Sequence, residues 1–195
     1  MNAAPIVLAS SSPRRAELLQ QVGIAFEVLE PHVNESQIVA GDPVETALLR
    51  ARAKLSAALE IRGDAEHAAR LVLAADTVVF MGTQTFGKPK SPAEARAIVG
   101  ALAGRTHTVV TACAWSAFGR NLALTDTADV TFLPLSEPQL AAYVATEQWR
   151  GVAGGYRIQG HAAAFISAIN GSYATVMGLP IHRVCTIVRH YNETH

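Results

Sequence analysis

The sequence predicts an α/β protein in which helices pack around a mixed sheet. Short, β-branched apolar runs are typical of buried strands, and other segments carry apolar residues at helical spacing. The two kinds of segment do not alternate strictly, so an all-parallel sheet is not expected. Half of the 195 residues are hydrophobic and 16% are charged, which indicates one globular domain over residues 1–195.

In the first half of the chain, local signals separate strands from helices. A short apolar strand begins at Ile6. Residues 13–21 are predicted to be helical, because Pro13 suits a first helical position and Gly23 can end a helix in a left-handed conformation. The further predictions are a strand at 25–29, a loop at 31–41, a helix from 43 to about 61 and a buried strand at 71–81.

In the second half, two capping boxes mark the starts of helices. Ser91 with Glu94 forms the first, whose helix Gly104 can end, and Ser136 with Gln139 forms the second, whose helix should end near residue 146. The remaining predictions are strands at 106–117, 127–135, near 158 and at 162–169, turns at 118–121 and 170–171, and a final helix after residue 180.

Composition and absent motifs exclude several classes of protein. The formal net charge is zero, from 16 basic and 16 acidic residues, which argues against a broad nucleic-acid surface. No apolar run is long enough to cross a membrane, and the chain has no P-loop, no dinucleotide fingerprint and no zinc-site spacing. Cys113 and Cys185 lie in apolar runs and predict reduced, buried thiols in a cytoplasmic protein, with a disulfide between them as the alternative. His107, in an apolar strand, is predicted to be a core residue.

Residues 10–15, SSSPRR, join the first strand to the first helix. Arg14 and Arg15 add positive charge to a helix end that already carries a partial positive charge, with no local compensation. Backbone N–H groups, serine hydroxyls and two guanidinium groups would together bind phosphate oxygens. The alternative is a surface turn whose arginines face water.

Asp76 is the leading candidate for a catalytic group. It lies at the centre of the apolar run 71–81, where a carboxylate is costly unless a cation or hydrogen bonds compensate it. Beside a cleft, this carboxylate would bind Mg²⁺ or take a proton from water. The alternative is a structural aspartate that caps a neighbouring backbone turn.

Three other charged residues are each open to two interpretations. Lys88, in a turn bounded by glycine and proline, would reach a phosphate as a point charge or extend into solvent. Lys54, on the helix predicted to start at residue 43, faces either a site or solvent. Glu35 is either an exposed acid or a second contact to metal or water.

Residues 154–160, GGYRIQG, place glycines on both sides of an Ile-Gln pair. Such glycines suggest backbone held close to a ligand, and the Gln159 amide offers both a donor and an acceptor. An amide can therefore read the O4 and N3–H edge of a pyrimidine. The alternative is a strand that follows a flexible loop.

Taken together, these segments resemble the Maf family. The resemblance runs in order over essentially the whole chain, through SSSPRR at 10–15, ADT at 75–77, GKP at 87–89, AGGYRIQG at 153–160, GSY at 171–173 and GLP at 178–180. It implies a two-lobed α/β fold similar to the inosine triphosphatase architecture, with the site in the cleft between the lobes. It also implies metal-dependent cleavage of a nucleoside triphosphate to its monophosphate and pyrophosphate.

The resemblance implies a role for each candidate residue. Asp76 matches the family's proton acceptor, and Glu35 matches an acidic position near a divalent metal, for which Mg²⁺ or Mn²⁺ is expected. The family's phosphate-handling positions are matched by Ser10, Arg15, Lys54 and Lys88.

Three further positions separate the branches of the family. Arg14, Thr77 and Gln159 match the branch that acts on dTTP and UTP, rather than the branch that prefers 7-methyl-GTP. Two residues depart from the family pattern: Val152 stands where a lysine is common, and Arg157 replaces a small residue. Loss of the lysine would weaken phosphate contact, and Arg157 would partly restore positive charge nearby.

The resemblance therefore implies an enzyme that removes surplus or modified pyrimidine nucleotides, with a nucleoside triphosphate as its partner. The rival hypothesis is a nucleotide-sensing regulator of cell division with little turnover. A homodimer is what the family resemblance implies, and neither a nucleic acid nor a membrane is expected as a partner.

Overall fold

The structure is a computed structural model, and it describes residues 5–62 and 70–193. The strands in these residues are β1 (Ile6–Ala9), β2 (Phe26–Leu29), β3 (Val72–Met81), β4 (Gln84–Phe86), β5 (Thr106–Ala117), β6 (Arg120–Phe132) and β7 (Ile166–Gly171). The α-helices are α1 (Pro13–Gln21), α2 (Pro43–Arg62), α3 (Pro92–Leu102), α4 (Glu137–Ala145), α5 (Tyr173–Met177) and α6 (Ile181–Glu193). Short 3₁₀ segments lie at Glu35–Gln37, Ala153–Gly155 and His161–Phe165.

The strands form one mixed sheet, as predicted, in the order β2-β1-β3-β5-β6-β7, with β4 also paired to β3. β1 is parallel to β2 and β3, and the other pairs are antiparallel. One edge of β3 pairs with β5 over residues 72–80, while the other pairs with β1 over 72–74 and with β4 over 79–81. The sheet therefore opens between β1 and β4, beside Asp76 and Thr77.

The two faces of the sheet are covered by different helices. On one face, small side chains of α2, among them Ala47 and Ala51, pack on buried residues of β1, β3 and β5. Larger apolar residues of α1, α3, α4 and α6 form the core on the other face. Because side chains alternate along a strand, Asp76 points to the α2 face and Thr77 to the opposite face.

Most of the predicted elements are confirmed, some at their predicted bounds. α1 and β5 begin and end where predicted, and Gly23 follows α1 with a φ of 71°. The Ser91 hydroxyl accepts a hydrogen bond from the Glu94 N–H at 3.2 Å, so the predicted cap of α3 is present. None of the helices in the described residues is long and apolar enough to span a membrane.

Several bounds in the second half were predicted wrongly. β6 begins at Arg120 and not at 127, because Phe118 and Gly119 have φ values of 51° and 72° and form a tighter turn than the predicted one. Residue 158 lies in a turn and not in a strand. Residues His161–Phe165 are 3₁₀-helical, so β7 begins at Ile166 and not at 162. Neither β4 nor α5 was predicted.

The predicted hairpin turn at Asn170 and Gly171 is also wrong. Both residues lie in β7, where Asn170 pairs with Asp129 and Gly171 pairs with Ala128 of β6. A Cβ on Gly171 would lie 2.8 Å from the Ala128 Cα. The glycine therefore permits two strands to approach closely, which a sequence pattern cannot distinguish from a turn.

The interpretation of the cysteines and of His107 is confirmed in part: Cys113 is buried, whereas Cys185 is only half-buried. Cys113 and Cys185 have free thiols, and burial raises the pKa of Cys113 to about 12, so this thiol stays protonated at neutral pH. His107 is a core residue that is 1% exposed, and its Nε2 lies 2.9 Å from the Tyr156 hydroxyl, but its buried Nδ1 has no hydrogen-bond partner among the described residues.

Candidate active site

A cavity of about 350 Å³ lies at the opening of the sheet between β1 and β4. Its walls come from the β1–α1 junction, the centre of β3, the loops around residues 35 and 88, α2, and the segment from 150 to 159. Every predicted site residue lines this one cavity: Ser10, Arg14, Arg15, Glu35, Lys54, Asp76, Thr77, Lys88 and Gln159.

Lys54 and Asp76 form a buried ion pair at the base of the cavity. The Lys54 Nζ lies 2.6 Å from the Asp76 Oδ1 and 2.8 Å from the Glu35 Oε1. The Lys54 side chain is 9% exposed and the Asp76 side chain 5% exposed. Lys54 therefore faces the site and not solvent, and its ammonium group compensates a carboxylate that the apolar strand would otherwise disfavour.

The two oxygens of Asp76 differ in their surroundings. Oδ1 is bound to Lys54, whereas the buried Oδ2 has no hydrogen-bond partner among residues 5–62 and 70–193. A buried carboxylate oxygen without a partner is costly unless a ligand, water or ion supplies one. Asp76 therefore has one oxygen held in place and one available, which is the arrangement that a general base needs.

Glu35 joins Lys54 to the mouth of the cavity. Its Oε2 lies 3.1 Å from the Nζ of Lys88, which is itself 57% exposed. Burial raises the pKa of Glu35, but the ammonium groups of Lys54 and Lys88 outweigh this effect and lower it to about 2. Glu35 is thus ionised throughout the physiological range, and two loops that are distant in sequence meet at its carboxylate.

The donor chemistry of Asp76 and Glu35 suits a divalent cation only in part. Carboxylate oxygens are the ligands that Mg²⁺ prefers, and this ion commonly uses one or two carboxylates together with substrate phosphates. In the part of the chain that the structure describes, no group of three or more histidine, cysteine, aspartate or glutamate residues could hold a metal on its own. Ammonium groups of Lys54 and Lys88 already contact three of the four carboxylate oxygens, so the residues fit a cation only where bound phosphate oxygens supply most of its ligands.

Arg15 is a buried cation at the start of α1. Its Nε donates to the Gly178 carbonyl at 2.8 Å, one Nη to the Ser10 hydroxyl at 2.8 Å and the other to the Thr77 hydroxyl at 3.3 Å. Burial lowers the pKa of Arg15, and Asp76 is the main charge that opposes this effect. Arg15 thus connects the β1–α1 junction, β3 and the end of α5 on one side of the cavity.

Arg14 lies beside Arg15 and donates from Nε to the Met177 carbonyl at 3.4 Å. Burial lowers the pKa of Arg14 to about 10, with further contributions from the charges of Arg15 and Arg157. Like charges held together in a half-buried position favour an anion between them. The two arginines therefore do not face water. Their positive charge, which no neighbouring residue in the sequence compensates, is compensated by carbonyl groups at the end of α5.

The segment from 150 to 159 forms another part of the cavity wall. Gln159 is exposed at the cavity, in a turn and not in the predicted strand. The Arg157 guanidinium donates to the Gln148 carbonyl at 2.9 Å and to the Arg150 carbonyl at 3.1 Å, so it adds charge near Arg14 and also holds the loop. Val152, where the family commonly has lysine, is buried at the cavity wall.

Comparison with known proteins agrees with this arrangement. The family described as Maf-like protein matches residues 5–191. The chain belongs to the Maf family.

Two relatives of this Maf chain have the same name, dTTP/UTP pyrophosphatase. A dTTP/UTP pyrophosphatase of Symbiobacterium thermophilum is 41% identical over 190 residues, which cover 95% of this chain and 93% of the relative. A dTTP/UTP pyrophosphatase of Hyphomonas neptunium is 42% identical over 187 residues, which cover 95% and 94%. A more distant fold likeness, with a TM-score of 0.42 and 16% identity, relates 74% of this chain to the whole of the Staphylococcus aureus Ham1 protein.

The Maf site also contains residues that the sequence reasoning missed. The Thr111 hydroxyl lies 2.9 Å from the Thr77 hydroxyl and donates to the Thr175 carbonyl at 2.8 Å. Thr111 and Thr175 are both completely buried. A threonine in a β-branched strand carries no signal of its own in the sequence, so only the pairing of β3 with β5 reveals these contacts.

Proposed function

We propose that this Maf-family protein hydrolyses dTTP and UTP to the nucleoside monophosphate and pyrophosphate, and so removes surplus or modified pyrimidine nucleotides. The observation that carries the proposal is one cavity in which an arginine pair, a lysine–aspartate pair and an exposed glutamine meet. The relatives named dTTP/UTP pyrophosphatase, which match nearly the whole chain, support the same reaction.

The triphosphate is held by cations from several parts of the cavity wall. Arg14 and Arg15 approach it from the start of α1, Lys54 approaches it from α2, and Lys88 approaches it from the loop after β4. Charge that accumulates on the phosphate oxygens in the transition state is stabilised by groups that are already fixed, as Arg15 is by three hydrogen bonds.

Asp76 acts as the general base. Its Oδ2 accepts a proton from a water molecule, while Lys54 holds Oδ1 at 2.6 Å. The water oxygen forms a bond to the α-phosphorus, the bond from this phosphorus to the bridging oxygen of the β-phosphate breaks, and pyrophosphate leaves with both electrons of that bond. Lys54 keeps the carboxylate oriented during the transfer.

Asp76 and Glu35 would hold Mg²⁺ or Mn²⁺ together with the phosphates. When bound, the cation would neutralise charge on the phosphate oxygens. At the other end of the substrate, Thr77 and Gln159 would contact the O4 and N3–H edge of thymine or uracil, with Arg14 beside them. Cytosine presents the opposite pattern of donor and acceptor at these positions.

The test is a product assay on wild-type protein and Asp76→Asn, with dTTP, UTP, CTP and 7-methyl-GTP in Mg²⁺ or Mn²⁺. Wild type should release monophosphate and pyrophosphate from dTTP and UTP. The variant should lose about 10²–10⁴-fold in kcat while its circular dichroism spectrum is unchanged. Tight binding without products would support the regulator instead, and release of diphosphate and phosphate would refute the reaction type.

A further inference from the structure

A chain of hydroxyl groups leads from the cavity into the buried interior. Thr77 on β3 contacts Thr111 on β5, Thr111 contacts the backbone carbonyl of Thr175 on α5, and the Thr175 hydroxyl in turn donates to Asp126 on β6. Only Thr77 lines the cavity. Thr77, Thr111 and Asp126 lie on strands that the sheet holds in fixed register, and Thr175 on α5 packs against them.

The partners of these groups determine the direction of each hydrogen bond. The Thr175 carbonyl can only accept, so the single hydroxyl proton of Thr111 is directed to it at 2.8 Å. The contact of 2.9 Å between the Thr111 and Thr77 hydroxyls also needs a proton. Thr77 must supply that proton, because Thr111 has no second one.

These directions determine which hydrogen bonds the Thr77 hydroxyl can still make with a ligand. A hydroxyl group has one proton and can accept two hydrogen bonds. The proton of Thr77 is directed to Thr111, and one acceptor position is taken by the Arg15 Nη group at 3.3 Å. One acceptor position and no donor remain for a ligand in the cavity.

We propose that Thr111 is a specificity-determining residue, which positions the Thr77 hydroxyl so that it presents only a hydrogen-bond acceptor to the base of the nucleotide. This inference rests on the proposed function and deepens it. Thymine and uracil share an N3–H group, which finds its acceptor in Thr77. Cytosine has an unprotonated N3, so two acceptors would face each other, and neither would be satisfied.

The burial of Thr111 and Thr175 keeps the hydrogen bonds in this direction. Thr111 and Thr175 are 0% exposed, so water cannot take the place of either partner. The Thr175 carbonyl also accepts from the Gly178 N–H at 3.1 Å, but if Thr111 turned its proton toward Thr77, the Thr111 and Thr175 oxygens would face each other at 2.8 Å with no proton between them, which is unfavourable. Gly178 leaves the Thr77 hydroxyl accessible, since a Cβ at this position would lie 3.2 Å from the Thr77 Oγ1.

The experiment compares kcat/KM for dTTP and dCTP in wild type, Thr111→Val and Thr111→Ser. Valine has nearly the shape of threonine but lacks the hydroxyl, so it frees the Thr77 proton to face the cavity. We expect the preference for dTTP over dCTP to fall about tenfold in Thr111→Val, with a gain in dCTP turnover. Thr111→Ser keeps the hydroxyl and should keep the preference.

Thr108→Val is the matched control. It removes a hydroxyl from the same strand, one that donates to Asp129 at 2.8 Å, and its side chain lies on the opposite face of the sheet from Thr111. This variant should keep the wild-type preference. If Thr111→Val does not fold, Thr111→Ala removes the same hydroxyl without a branched side chain to pack.

A second measurement needs no variant at Thr111. Wild type should turn over N3-methyl-dTTP at least about tenfold more slowly than dTTP, because the methyl group replaces the N3–H. An unchanged ratio of dTTP to dCTP in a folded Thr111 variant, or equal turnover of the methylated nucleotide, would overturn the inference. Failure of wild type to convert dTTP to dTMP and pyrophosphate would instead overturn the proposed function.

Discussion

Replacing Lys54 with methionine removes the only hydrogen-bond partner that the Asp76 carboxylate has among residues 5–62 and 70–193. The ammonium group lies 2.6 Å from the Asp76 Oδ1, and both side chains are almost fully buried. Methionine fills a similar volume, so the substitution tests the charge and not the packing. We expect Lys54→Met to lower the stability of the protein as well as its activity.

The expected magnitude follows from the burial of the pair. Removing one member of a buried ion pair leaves an uncompensated charge and typically costs about 3–5 kcal/mol. For a protein of this size, each kcal/mol corresponds to about 2–4 °C in Tm, so Lys54→Met should melt about 10 °C below wild type. Lys88→Met is the matched control: its pair with Glu35 involves a lysine that is 57% exposed, and its loss should cost about 1 kcal/mol or less.

A double-mutant cycle separates the ion pair from other effects of the substitution. Unfolding in urea is measured for wild type, Lys54→Met, Asp76→Asn and the double variant, and the free energies of unfolding are compared. In the Asp76→Asn background, Lys54→Met should cost at least about 2 kcal/mol less than in wild type, because no buried carboxylate remains to be compensated. Equal costs in the two backgrounds would refute the assignment of Lys54 as the partner that makes Asp76 tolerable.

Three further predictions concern stability. Burial raises the pKa of Glu35 but Lys54 and Lys88 lower it to about 2, so its stabilising effect is present above about pH 4.5 and is lost as the pH falls toward 2. Glu35→Gln should remove about 1 kcal/mol of this pH dependence from the free energy of unfolding, measured by urea denaturation at several pH values. An unchanged pH dependence would contradict the pairing of Glu35 with Lys54 and Lys88. Burial lowers the pKa of His107 to about 4 despite Asp129, so the folded state should lose up to about 3 kcal/mol between pH 6.5 and 4. His107→Gln should remove this slope in thermal melts, and a persisting slope would mean that another group causes it. Gly171→Ala should lower the free energy of unfolding by at least about 2 kcal/mol in the same melts, because φ is 122° and the new Cβ would lie 2.8 Å from Ala128. The control Gly41→Ala should be nearly neutral, because nothing lies within 4 Å of its new Cβ.

Local signals predicted the fold well where the cause of an element is itself local. Pro13 and Gly23 delimit α1, and the Ser91 cap starts α3, because these residues act on the backbone within one turn of a helix. The Asn170–Gly171 prediction failed because the same dipeptide here meets a neighbouring strand, and that strand is remote in sequence. The length of β6 likewise depends on its pairing with β5.

The site residues were identified from the sequence by their chemical types and motifs, and all of them line the same cavity. The interpretations left open for Lys54, Arg14 and Arg15 were decided only by their contacts. No residue near Lys54 in the sequence indicated that its side chain faces a site, because its partner Asp76 lies 22 residues away in the chain. Thr111 was not considered at all, since its role depends on a carbonyl 64 residues away.

The amino-acid sequence by itself determined most of the strands and helices, and which side chains are able to bind phosphate, donate protons or accept them. Those properties depend on backbone preferences within a few residues and on the chemistry of each side chain. The tertiary structure alone decided that one Asp76 oxygen has no hydrogen-bond partner among the described residues, that Arg14 and Arg15 reach the end of α5, and that the Thr77 and Thr111 hydroxyls are in contact. Each of these facts needs a partner brought close by the sheet, and no pattern of neighbouring residues can specify that partner.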